Sequence, residues 1–313
     1  KSDINTWKNF DILQQPDWPS LNKYYKIIKT LEKFPPLISS YEIIQLKKRL
    51  KKVSDGNAFL LQGGDCAETF KEFSENNIKN KLKILFQMST IIAYGSSMDV
   101  LKVGRIAGQY AKPRSSKLET RNGVTLPSYR GDSINSIKYD LHSRTPDPNR
   151  LLKAYNQSLA TLNLLKSLIK NEFKNLDYFS FWDNKIFNTS GIFNRFEKTI
   201  NRIDKSLKFL NALGRPIDLT SQKRFNEFYV SHESLILDYE ASFTRMLNNE
   251  LYYNASAHML WLGDRTRNIN SAHVEYLSRI INPIGIKCGP NTDVADLKLV
   301  IEKINPDNEK GKI

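Results

Sequence analysis

From Asn57 onward the chain carries short apolar runs that end in glycine or in charged residues. "AFLLQGGD" (58–65), "DVLKVGRI" (99–106), "FYVSHE" (228–233), "HMLWLGDRTR" (258–267) and "IGIKCGP" (284–290) are five such runs. Runs of this length, bounded in this way, predict buried strands. Most are separated by segments of helical period, notably Ile78–Tyr94 and Ser271–Ile281. Short buried strands alternating with helices predict an α/β fold with a parallel sheet of βαβ units.

Two stretches depart from that rhythm. Residues 1–57 read as an N-terminal helical extension, punctuated by the prolines of "QQPDWPS" (14–20) and "FPPL" (34–37). Its clearest helix is Tyr41–Val53, with Ile43, Ile44, Leu46 and Leu50 roughly on one face. Between about 146 and 223 the pattern is mostly helical, with Pro148 near the start and a predicted apolar stripe of Leu152, Tyr155, Leu159, Leu162 and Ile169. The expected organisation is therefore an extension over 1–57 and a barrel-type unit over 58–313, with a helical insertion at about 146–223.

Composition narrows the class. With 40% hydrophobic and 26% charged residues over 313 positions, the chain suits a globular protein with a substantial core. No apolar run approaches the length of about 18 residues that a membrane span needs, and the first residues show no secretory leader. Two cysteines are too few for a disulfide framework. A reducing, cytoplasmic setting is expected, with Cys66 and Cys288 unbridged. A net charge of +14 invites a nucleic-acid reading. The lysines are scattered along helical faces rather than gathered in a patch, so the expectation is no nucleic acid and no membrane partner.

The polar residues that could do chemistry lie where the strands end. Gln62, Asp65, Cys66 and Glu68 follow the first run; Arg105, Gln109, Lys112, Arg114 and Ser115 follow the second. Asp264, Arg265 and Arg267 follow the fourth, and Lys287 and Cys288 the fifth. In a (β/α)₈ barrel the C-terminal strand ends form one mouth, where these groups would converge. Arginines and lysines gathered there suit a ligand carrying phosphate and carboxylate. Cys66 by itself is more often a packed small hydrophobe than half of a disulfide, a nucleophile or a metal ligand. Gly63-Gly64 fits neither the dinucleotide fingerprint nor the Walker loop. The four histidines show no zinc-protease spacing, and there is no serine-hydrolase elbow.

Taken in order, "LLQGGDCAETF", "VGRIAGQYAKPRS", "GVTLPSYRGDSIN", "PDPNRLLKAY", "SHESLILDYE" and "WLGDRTRNINSAHVEYLSRIINPIGIKCGP" resemble the type II 3-deoxy-D-arabino-heptulosonate 7-phosphate (DAHP) synthases. The resemblance implies a transferase that condenses phosphoenolpyruvate with erythrose 4-phosphate on a divalent metal (Mn, Co or Zn), the first step of the shikimate pathway. It implies that Cys66 is a metal ligand. It also implies that Arg105, Asp264, Arg265 and Lys287 hold phosphoenolpyruvate, and that Lys112, Pro113, Arg114 and Ser115 line the erythrose 4-phosphate site. Asp264 stands where the family commonly has Glu. Five predicted strands fall short of the eight of a closed barrel. The remaining metal ligands, a His, a Glu and an Asp, are expected beyond residue 313, so turnover by these 313 residues alone is expected to be poor. The resemblance leaves room for a homo-oligomer. The competing readings are a non-catalytic barrel fragment of that family and a basic nucleic-acid binder.

Overall fold

The five apolar runs are five parallel strands. The computed structural model describes residues 3–171, 192–212, 226–248 and 251–313. A 3-10 turn (Ile4–Asn9) leads to α1 (Leu21–Leu31), α2 (Ser40–Ser54), β1 (Ala58–Gly64), α3 (Glu75–Ser96) and β2 (Asp99–Arg105). A hairpin of β3 (Leu118–Arg121) and β4 (Val124–Pro127) precedes α4 (Leu141–Arg144), α5 (Asn149–Asn171) and α6 (Ile192–Ala212). Then come β5 (Tyr229–Glu233), α7 (Leu237–Ser242) and a second hairpin of β6 (Thr244–Leu247) and β7 (Leu251–Asn254). The chain closes with β8 (Met259–Leu262), a 3-10 turn (Asp264–Thr266), α8 (Ala272–Ser278), β9 (Ile284–Ile286) and α9 (Val294–Ile304).

The sheet order is β1-β2-β5-β8-β9, all neighbours parallel, and the sheet curls into half of a (β/α) barrel. β5 and β8 are buried along their whole length, which is why Met259–Leu262 reads as an unbroken apolar run; in β5 Ser231, His232 and Glu233 are buried polar residues. Alternation still sorts their side chains. Val103 pairs with Tyr229, Ser231 with Met259 and Glu233 with Trp261, so these residues share one face. On that face Leu101, Val103, Tyr229 and Met259 form an apolar layer with Leu46 of α2. Gln62 donates to Ser231 (3.1 Å) one step higher, and Arg105, Glu233 and Trp261 follow at the C-terminal ends. The opposite face carries Val230, Leu260 and Leu262 into the main core beneath the helices.

Helix α2 starts with a capping box, the Ser39 and Glu42 side chains each accepting the other's backbone N–H. Its buried face is Ile43, Leu46 and Arg49, displaced from the predicted stripe; Ile44 and Leu50 are only half-buried. Arg49 pairs with Asp99 (2.7 Å) and Glu227 (2.8 Å), fastening α2 across the N-terminal ends of β2 and β5. The first residues belong to the same core: Trp7, Tyr24, Ile27, Ile28 and Leu31 are buried in it.

The stripe of α5 is likewise displaced. Leu151, Tyr155, Ser158, Leu162 and Leu165 are buried, while Leu152, Leu159 and Ile169 flank them. The small polar Ser158 and Thr161 occupy core positions, so counting apolar residues alone misplaced the centre of the face. Helices α5 and α6 fall in the predicted insertion; the rest of 146–223 lies partly outside the described residues. No described helix is long and apolar enough to cross a membrane.

Candidate active site

The cleft begins where β1 turns away. Gly64 has φ +141°, and a Cβ there would come within 2.6 Å of the Arg105 carbonyl oxygen, so only glycine lets β1 and β2 approach this closely. The chain then places Cys66 at the mouth, as an exposed free thiol whose carbonyl accepts a hydrogen bond from Arg105 Nη2 (3.3 Å). Cys288 is also a free, exposed thiol.

Glu68 organises the loop after β2. Its buried carboxylate accepts the N–H groups of Ala107 (3.1 Å), Gly108 (2.9 Å) and Gln109 (2.8 Å). These bonds hold Ala107 at φ +65° in the left-handed region. Burial still pushes the Glu68 pKa above the usual carboxylate range, although the three N–H donors pull against it. Gln109 then passes the order on, its Oε1 accepting the N–H of Glu233 (2.8 Å).

From that loop the chain runs into Lys112–Ser115. The Lys112 N–H donates to the Arg130 carbonyl (2.8 Å), and the Arg114 N–H donates to Gln14 Oε1 (2.9 Å) of the N-terminal extension. Both bonds fix the backbone of this stretch from outside the sheet. The Arg114 guanidinium pairs with Glu119 of the β3–β4 hairpin (3.0 Å), and the fully buried Arg144 also grips Glu119.

The other wall comes from β8 and β9. Arg265 Nη2 donates to Ser115 Oγ (2.7 Å), joining the turn after β8 to the loop after β2. The Lys287 N–H continues the sheet by donating to the Leu262 carbonyl (2.9 Å). Together Cys66, Arg105, Lys112, Pro113, Arg114, Ser115, Arg265 and Lys287 line one cleft of about 510 Å³.

Asp264 does not join them. The 3-10 turn after β8 sends neighbouring side chains in different directions, and Asp264 pairs instead with Arg267 (3.0 Å) beside Gly289. The acids that do line the cleft are Glu119, which its arginines take up, and Glu233, which the pattern of the residues did not single out. The signal was available: Glu233 is the charged residue that ends its apolar run, as Arg105 ends β2. Burial raises the Glu233 pKa to about 7, against the opposing pull of Lys287, Arg105 and Arg265. Its Oε1 has no hydrogen-bond partner among the described residues.

The cleft is thus a basic hollow with one buried carboxyl that titrates near neutrality. It can bind an anion with two charged ends and exchange a proton beside it. For a cation the described residues offer the Cys66 thiol, but no group of three or more His, Cys, Asp or Glu placed to hold a metal ion. Catalytic divalent sites use about three protein ligands, so the donor set assembled among them does not complete one.

Known proteins match the chain along nearly its whole length. The sequence profile of the class-II DAHP synthetase family matches residues 2–313. A phospho-2-dehydro-3-deoxyheptonate aldolase of Streptomyces coelicolor is 44% identical over 312 residues, covering 99% of this chain and 68% of its own. The enzyme of the same name from Neurospora crassa is 40% identical over 324 residues, covering 99% of this chain and 66% of its own. The chain therefore spans about two thirds of the length of these relatives.

Proposed function

Because the chain belongs to the class-II DAHP synthetase family, we propose that its cleft binds phosphoenolpyruvate and erythrose 4-phosphate for an aldol-type condensation. The observation that carries this reading is the convergence of Arg105, Arg265 and Lys287 with Lys112–Ser115 and Glu233 in one hollow. Arg105, Arg265 and Lys287 supply fixed positive charge for the phosphate and carboxylate of phosphoenolpyruvate. Lys112, Pro113, Arg114 and Ser115 line the end that takes the aldehyde phosphate. The Arg265–Ser115 hydrogen bond links the two subsites, so occupancy of one helps to order the other.

In the reaction C3 of phosphoenolpyruvate forms a bond to the aldehyde carbon, and the aldehyde oxygen takes up a proton. Water adds at C2, and the C2–O bond to phosphate breaks to release inorganic phosphate. Glu233 sits among the cations that hold phosphoenolpyruvate and is suited to take the proton from that water. The family carries a divalent-metal requirement. With the ligand set incomplete among the described residues, binding, orientation and proton exchange fall to side chains of this chain.

The test is calorimetric titration of phosphoenolpyruvate into the purified chain, followed by phosphate release with erythrose 4-phosphate and Mn²⁺ present. The expected result is saturable phosphoenolpyruvate binding that Arg265→Ala and Lys287→Ala weaken. Binding that ignores both substitutions would reject the assignment. Phosphate release at the rate of a full-length relative would show that this chain holds further ligands to the metal.

A further inference from the structure

One aromatic side chain next to Arg105 and Glu233 has no part in those roles. Trp261 lies beside Glu233 in the β5–β8 register, on the same face of the sheet. It is buried, and the Arg105 guanidinium carbon lies 4.4 Å from the centre of its ring. Glu233, its register partner, holds a buried carboxyl on that same face. Arg105 Nε and Glu233 Oε1 each lack a hydrogen-bond partner among the described residues.

An arginine and a carboxyl buried in one hollow ordinarily join fork to fork. That union would occupy the donors a substrate anion needs and would keep the carboxyl ionised. A ring face attracts the guanidinium without using its N–H groups. We propose that Trp261 is a positioning residue: its ring holds the Arg105 guanidinium, keeping it from pairing with Glu233 and leaving it for the substrate. The proposal rests on the phosphoenolpyruvate reading of the cleft.

The experiment compares the wild-type chain with Trp261→Phe, Trp261→Leu, Arg105→Lys and the double variant Trp261→Leu/Arg105→Lys. Calorimetry reads phosphoenolpyruvate affinity, and NMR reads the Arg105 side-chain protons without ligand, assigned by their loss in Arg105→Lys. Phenylalanine keeps a ring face, so its affinity should stay within about threefold of wild type, whereas leucine should cost about tenfold. In the double variant the leucine should cost little more than Arg105→Lys alone, because the contact it removes is already weakened. Ring current should shift the Arg105 protons upfield in the wild type. Additive losses, or a Trp261→Leu chain that binds like wild type, would overturn the proposal. Should Trp261→Leu fail to fold, the wild-type shift still decides, since Arg105 protons at ordinary positions would refute the stacking. A wild type that binds no phosphoenolpyruvate would overturn the substrate reading instead, and that same shift would then uphold or refute the role of the ring.

Discussion

The two ends of the sheet use charge in opposite ways. At the N-terminal end of the strands Arg49 meets Asp99 and Glu227, and Glu42 meets Lys166 (3.1 Å) and His258 (3.9 Å). Arg49 and Glu42 there each have an opposite charge in contact, and α2 closes the apolar layer with Leu46. At the C-terminal end Arg105, Lys112, Arg114, Arg265 and Lys287 face a cleft in which Glu119 and Glu233 are the acids. Glu119 is taken up by arginines, and burial tends to neutralise Glu233. Compensated charge fixes the fold, whereas uncompensated charge is kept for a ligand.

The largest effect expected from this contrast is on stability. Arg49→Ala removes the cation shared by Asp99 and Glu227 and should cost about 3 kcal/mol in urea unfolding. Phosphoenolpyruvate affinity of the fraction that remains folded should not change. Arg105→Ala should do the reverse, weakening phosphoenolpyruvate about a hundredfold with little change in the unfolding midpoint. A variant that disturbs both properties equally would erase the distinction between the ends.

The acids give the contrast a sign in pH. Glu233 has its folded pKa raised from 4.5 to about 7 by burial, so it favours the folded state at low pH, and that contribution is lost as pH rises through 7. Glu233→Gln should therefore gain on wild type between pH 5 and pH 8, by about 2 kcal/mol. Glu42 runs the other way. Burial works against its ionised form, but His258, the Ser39 N–H and Lys166 together hold its pKa well below 4.5. Its contribution is present above pH 4.5 and is lost as pH falls further. Glu42→Gln should cost about 1 kcal/mol at pH 7, a figure reduced for its partial exposure. The deficit should shrink in acid. Urea titrations across pH 3–8 check both, and slopes of the same sign for the two variants would contradict the account.

Much of this arrangement was legible in the residues. Each of the five apolar runs is a strand, and Arg105, Glu233, Arg265 and Lys287 at their ends line one cleft, because a parallel sheet aligns its C-terminal ends. The hairpins were not read. Leu118–Arg121 and Val124–Pro127 carry few apolar residues, so their one strong signal is Asn122-Gly123, which turns with φ +49° and +75°. Asp264 was placed by likeness to a motif, yet direction in a 3-10 turn changes with every residue, and its side chain faces Arg267. Trp261 gave no signal in the sequence: it lies inside an apolar run and is buried, and only the register with Glu233 and the stacked Arg105 show what its ring faces.

The central claim is that the uncompensated end is the substrate site. The most direct measurement is a crystal structure of the chain with phosphoenolpyruvate. The account predicts its phosphate and carboxylate on Arg105, Arg265 and Lys287, with Glu233 beside the C2 carbon. Phosphoenolpyruvate bound at the Arg49 end, or bound in the cleft without touching those three cations, would contradict it.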